Sequence, residues 1–394
     1  MKKIYLSVLA LYAGILSAWA QTATADTGAY KPRRLTLTEI DLVSAYYTQD
    51  GNHSAVTGGV GTERLTDISN TIDLQWLRYD KLDRRHNLTF ELGVDHYTSA
   101  SSDAIDPAAV TSPSYADTRI YPSVNYSVQN TKGRTLGASL SYSKEYDYQS
   151  LGIGGQYEKT SKDNNRSFSL RLQAYLDQWK VILPVELRPG GRLTEGSAPR
   201  RTYSASLSWS QVINPRLQAV FLLDLVAQEG LLATDYQRVY FKDGSLNYEH
   251  LPGTRFKVPV GARLHYFWGD RVIVRALYRF YADDWGLTAH TAELEVPVKL
   301  TPSVSISPFY RYYTQRSADY FAPYKVHAVT DAYFTSDYDL AALQSHYFGS
   351  GIRWVPAKGV FGWKRWNMLE LRYGHYQRST ALNSDIVSLN FRFR

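Results

Sequence analysis

The sequence predicts an all-β fold, a transmembrane antiparallel β-barrel of about 16 strands, with roughly 14 or 18 as the alternative counts and both termini periplasmic. Three observations predict it. Apolar and polar residues alternate with a period of two through successive segments. The connections between those segments are short and long in turn. Aromatic residues are abundant, with 32 Tyr, 14 Phe and 9 Trp in 394 residues, yet beyond the N-terminus no apolar stretch is long enough for a membrane helix.

In chain order the first element is an export signal. Lys2 and Lys3 precede an apolar run over residues 4–16 that ends in Ser17-Ala18-Trp19-Ala20, a small-x-small cleavage site. Cleavage is expected after Ala20. The run is too short to span a bilayer, and no Cys follows to accept a lipid. Residues 21–33 are expected as a periplasmic N-terminal segment and residues 34–394 as one barrel domain.

The strands follow from alternation. Phe168, Leu170, Leu172, Ala174 and Leu176 share one parity, while Ser169, Arg171, Gln173, Tyr175 and Asp177 share the other, a separation that a helix would not produce. Val272, Val274, Ala276, Tyr278 and Phe280 oppose Arg271, Arg275 and Arg279 in the same way. Similar ladders run through Leu88 to Val94, Leu136 to Tyr142 and Ala292 to Leu300. Each has the length, about 10 to 13 residues, that a tilted strand needs to cross hydrocarbon. Apolar residues are therefore expected toward lipid and polar ones toward the lumen.

Short turns rich in Gly, Pro, Asn and Asp fall at residues 81–85, 130–133, 162–165, 213–215, 268–270 and 300–302. Long connections occupy 49–69, 99–117, 181–200, 229–256 and 315–342, with short ones near Asp147, Asp284 and Ser379. One connector on the turn side, residues 356–366, is long and combines Lys358, Lys364 and Arg365 with Phe361, Trp363 and Trp366. It reads as an extension of an interfacial aromatic belt, with a periplasmic contact site as the alternative. The final strand, with Leu389, Phe391 and Phe393 on the lipid parity, resembles the C-terminal signal that barrel-assembly machinery recognises. It departs from the usual pattern in that Arg394 follows the last aromatic.

Composition narrows the chemistry. With no Cys, disulfides, thiolate metal sites and thiol nucleophiles are excluded. The net charge of +7 falls by two, to +5, once Lys2 and Lys3 leave with the signal. Basic and acidic residues are interspersed, so no nucleic acid is expected as a partner; anionic lipopolysaccharide among the outer-membrane lipids suits the excess better. No cofactor is expected.

Candidate functional residues lie on the inward parity: Arg171, Arg263, Arg271, Arg275, Arg279, Arg311, Glu293, Glu295, Glu370 and Arg372, with Asp73, Glu91, Asp95, Asp177 and Arg353 beside them. Arg263, Arg271, Arg275 and Arg279 either form a positive wall for an anionic solute or pair with Glu293 and Glu295 as a packed network. In the Gly-rich first loop, Asp50, Asn52, His53, Thr57 and Glu63 are donors of the kind that surround a hard cation, although their spacing does not match a calcium loop. The bland reading is a compact loop folded into or over the lumen. Asp103 and Asp106 mark a second acidic loop. A barrel-rim hydrolase would need a base beside its nucleophile, and His53, His250, His290, His327, His346 and His375 are not linked to one by any local motif.

The stretch from Asp50 to Glu63, taken with residues 99–106, resembles an uncharacterised family of bacterial outer-membrane β-barrel proteins, a domain of unknown function spanning most of a mature chain of this length. That resemblance implies an outer-membrane location. It also implies an envelope redox or assembly role beside a small lipoprotein, since members are encoded near a flavin transferase and such a lipoprotein. No residue here shows flavin chemistry. The expected function is a channel or translocation pore for small solutes, with loops 49–69 and 99–117 narrowing the lumen. The rival is a non-conducting scaffold barrel in an envelope complex.

Overall fold

The structure, a computed structural model, describes residues 31–98, 116–191 and 196–394. The export signal and the loop bearing Asp103 and Asp106 lie outside the described residues. The first eight barrel strands are β1 Thr36–Gly51, β2 Leu65–Tyr79, β3 Arg85–Thr98, β4 Ala116–Gln129, β5 Arg134–Lys144, β6 Tyr148–Thr160, β7 Arg166–Val181 and β8 Gly196–Asn214. The other eight are β9 Leu217–Gly230, β10 Thr254–Trp268, β11 Val272–Asp283, β12 Thr288–Glu295 continuing at Val298–Lys299, β13 Val304–Gln315, β14 Leu343–Trp354, β15 Trp366–Arg378 and β16 Leu382–Phe393.

Every strand pairs antiparallel with its sequence neighbours, and β1 pairs with β16 from Ile40↔Phe393 to Gly51↔Leu382, which closes the ring at sixteen strands. Closure leaves no sheet edge with unpaired amides, the condition for crossing hydrocarbon. β12 is interrupted only because Pro297 lacks an N–H: Arg275↔Glu295 and Val272↔Val298 keep one register across the gap.

The predicted parities separate as physical faces. Leu136, Leu140, Leu172, Ile153, Phe221, Tyr278 and Leu294 stand exposed on the outside, where an apolar surface is stable only against lipid. The connections are short at one end and long at the other, and both chain ends lie at the short end, where the Tyr79 amide donates to the Pro32 carbonyl and Phe393 ends β16. Connector 356–366 folds back over the outer rim of that end. Trp363 and Trp366 pack on Phe393 at 5.7 and 5.9 Å between ring centroids, and Ile40 beneath is fully buried. This is the aromatic-belt arrangement rather than a projecting arm.

At the long end, residues of three connections form small cores of their own. Leu251, Trp285, Leu287 and Ala318 form one buried group, and Val239, Phe241 and Phe334 another. A short hairpin, Arg238–Tyr240 with Leu246–Tyr248, lies within the connection between β9 and β10.

Candidate functional site

The lumen is lined by the inward parity, and contacts that skip strands place its charges inside the ring. Arg372 on β15 reaches Glu295 on β12 at 3.1 Å, and Arg279 on β11 reaches Asp224 on β9 at 3.8 Å. Two such strands are not neighbours in the sheet, so these side chains meet across a chord of the interior. Arg275 binds Glu295 at 2.9 Å, Arg311 approaches Glu293 at 3.7 Å and lies over the Tyr347 ring, and Glu370 takes Arg353 at 2.7 Å and Arg372 at 3.4 Å. Arg171 donates to the Gln156 side chain at 3.3 Å. Arg263 lies on β10, and Arg271 in the turn between β10 and β11. The four-arginine wall therefore divides, with Arg275 and Arg279 neutralised and Arg263 and Arg271 without a carboxylate partner among the described residues.

The network is wet. The side chains of Arg353, Arg279, Arg311, Arg275 and Arg372 keep 50, 49, 43, 41 and 37% of their surface accessible inside a closed ring. A packed interior would bury them.

The long-end mouth is crossed by a strap. The loop between β9 and β10 starts half a ring away from the loop between β1 and β2, yet Arg238 in the first donates Nη1 to the Val56 carbonyl in the second at 2.9 Å. Its other nitrogens hold the Glu186 carboxylate, at 2.9 Å from Nη2, on the connection between β7 and β8. A second contact ties the strap to the loop between β13 and β14. There Thr335 Oγ1 donates to Glu249 Oε1 at 2.5 Å, while the Thr234 amide donates to Oε2 at 2.6 Å. Burial, reinforced by the charge of Asp337, pushes the Glu249 carboxyl up to about 8. Burial likewise raises Asp235 and Asp337 to about 6.

In the first loop the candidate donors face separate partners rather than one common point. Asp50 turns to Arg64 at 3.3 Å, and the Thr57 hydroxyl donates to the Ser54 carbonyl at 3.3 Å. His53 sets its ring edge-on to Tyr338, and Glu63 lies 3.7 Å from Arg378. Asn52 is exposed. The loop's glycines serve packing instead: Gly59, at φ +81°, lets the backbone pass so close to the Ser336 carbonyl that a Cβ would sit 2.7 Å from it. Among the described residues the group suited to hold a metal ion is Asp117, Glu145 and Asp147, whose ligand oxygens lie within 4.8 Å of one another. Burial and then Glu145 raise Asp147 to about 6. Nothing in the local sequence links Asp117 to the other two, and the pairing of β4 with β5 brings them together.

The histidines are dispersed. His375 meets Asp385 at 2.9 Å, His290 meets Tyr278 at 2.8 Å, His346 meets Tyr310 at 2.7 Å, and His327 meets the Thr335 carbonyl at 2.9 Å. His250 stacks on Tyr333.

A model of the family described as Protein of unknown function (DUF3570) matches residues 95–380. The chain belongs to that family. No curated protein matches the sequence. Among solved structures, DUF3570 here is similar to Pseudomonas aeruginosa OccK9 (OpdG) at 10% identity and TM-score 0.45, covering 91% of this chain and 98% of that one. A BenF-like porin from Pseudomonas fluorescens Pf-5 matches at 8% identity and TM-score 0.44, covering 90% of this chain and 98% of that one. Pseudomonas aeruginosa OccK2 (OpdF) in complex with glucuronate matches at 9% identity and TM-score 0.44, covering 90% and 97%. With its closed ring and lipid-facing exterior, this DUF3570 chain is an outer-membrane barrel.

Proposed function

We propose that the barrel is a channel for small charged solutes, with the short-turn end in the periplasm and the loop strap constricting the opposite mouth. The observation that carries this reading is the set of lumenal arginines that stay near half exposed within a closed ring. Space beside a charged wall is what a hydrated solute needs, and the low-dielectric shell around it strengthens the field of those charges. The final strand would present Leu389, Phe391 and Phe393 to barrel-assembly machinery, and lipopolysaccharide would meet the outer leaflet rim. Planar-bilayer recordings of the purified protein test the proposal: discrete conductance steps are expected, with ion selectivity shifted toward cations in Arg279→Glu. The strap spanning the mouth favours a second reading, a non-conducting scaffold docked to a small lipoprotein. A silent barrel that copurifies with such a lipoprotein would decide for it.

A further inference from the structure

The turn-end mouth of the lumen gathers cations without matching acids. Across much of the lumen arginines face carboxylates, as Arg279 does Asp224, Arg311 does Glu293 and Arg392 does Asp41 at 2.8 Å, whereas Arg171 and Arg263 stand singly. At the turn end of β10 to β14 this pairing stops. A cavity of about 730 Å³ there is lined by Arg216, Arg271, Arg275, Lys299 and Arg353 against a single acid, Asp270. Arg275 and Arg353 are committed to Glu295 and Glu370. Arg216, Arg271 and Lys299 have no carboxylate within ion-pair distance among the described residues.

The strand register forces two of these cations together. Val272 pairs with Val298, and the Lys299 amide donates to the Arg271 carbonyl at 2.8 Å, so Arg271 and Lys299 stand opposite each other on one face. That face is the lumen, because Val272 and Val298 hold the lipid parity. Like charges set opposite on adjacent strands destabilise a sheet. Arg216 approaches from the next turn over, whose carbonyl accepts the Phe267 amide at 2.8 Å. Arg275, lining the same cavity, also has its Nε buried with no hydrogen-bond partner. A buried donor without an acceptor is destabilising, and an anion in the cavity would relieve both that cost and the repulsion.

Building on the channel reading, we propose that Arg216, Arg271 and Lys299 form a binding subsite for a small anion bearing a carboxylate or phosphate group, at the turn-end mouth of the lumen. The fork of Arg271 suits two oxygens of such a group, and Lys299 adds a compact charge beside it. The subsite biases which solutes dwell in the pore, and it is spatially separate from the strap at the other mouth.

Isothermal calorimetry of the full barrel in zwitterionic detergent, with inorganic phosphate and succinate as probes, tests this. Saturable binding is expected, weakened about tenfold or more in Arg271→Gln/Lys299→Gln through loss of charged contacts. Lys162→Gln, an exposed cation in the turn between β6 and β7 and outside the cavity, should bind as wild type does. Absence of saturable binding in the wild type, or equal binding in the double variant, overturns the subsite. Binding seen only as competition by anionic phospholipid in vesicles, with none in detergent, assigns the cations to lipid headgroups and also overturns it. A conducting barrel that binds neither probe removes the subsite alone. A silent barrel that binds them removes the channel and leaves the subsite standing.

Discussion

Removing Arg238 should open the strap. Arg238 is buried and holds two loops at once, Glu186 by its Nε and Nη2 at 3.2 and 2.9 Å and the Val56 carbonyl by Nη1 at 2.9 Å. Hydrogen bonds from a charged donor contribute about 1.5–3 kcal/mol each. The Glu186 side chain is 46% exposed, so the ion-pair part is screened and belongs at the bottom of that range. The two attachments then total about 3 kcal/mol, or roughly a hundredfold in the ratio of docked to released strap. Arg238→Ala should raise single-channel conductance and speed proteolytic cutting within residues 231–253. Arg238→Lys, which keeps the charge and loses the fork, should fall between. Conductance and cutting rate both unchanged in Arg238→Ala would refute the reasoning, because the strap would then be held by something other than its diametric contact.

The cap should also respond to pH. Glu249 is raised from its ordinary value to about 8 by burial and then Asp337, with Asp235 adding in the same sense, so the folded cap favours the neutral acid. Its contribution to cap stability is complete below about pH 4.5 and is lost as pH climbs through 8, with a change of about 3 kcal/mol between pH 6 and 9. Strap opening measured by conductance should increase over that range and flatten in Glu249→Gln; an unchanged slope in the variant would assign the dependence elsewhere. Gly59→Val should loosen the first loop from the cap, because the new side chain meets the Ser336 carbonyl from a backbone at φ +81°, and limited proteolysis near residue 59 should report it. Asp283 has no exposed side-chain surface and accepts from Arg255 at 2.5 Å, Tyr281 at 2.7 Å and the Trp285 amide at 3.0 Å. Asp283→Ala strands Arg255 and should cost about 3–5 kcal/mol, read as a lower unfolding midpoint in urea.

Much of the barrel is legible along the chain because each of its causes is local. A residue's parity decides whether it meets lipid or water, so Leu172 and Arg171 declare opposite faces without reference to any other strand. Turn residues such as Asn130 and Pro215 mark the ends for the same reason. The inward set containing Arg275, Glu295, Glu370 and Arg372 follows from parity alone. Which of those charges neutralise one another does not, since Arg279 chooses Asp224 two strands away and Arg372 chooses Glu295 three strands away.

The loops show the limit most sharply. Asp50, Asn52, His53, Thr57 and Glu63 look like a donor set in sequence, yet each finds a separate environment once the loop meets the strap. Arg238, Glu186 and Val56 lie far apart in the chain and carry no mutual signal, and only closure of the ring brings their loops across one opening. Periodicity along the chain sets the strands, their number to within a pair, and the faces they turn to lipid and water. Tertiary structure decided the ion pairs, the strap and the uncompensated cations at the turn end, because an electrostatic partner is selected by distance across the barrel, and that distance exists only after the first strand has paired with the last.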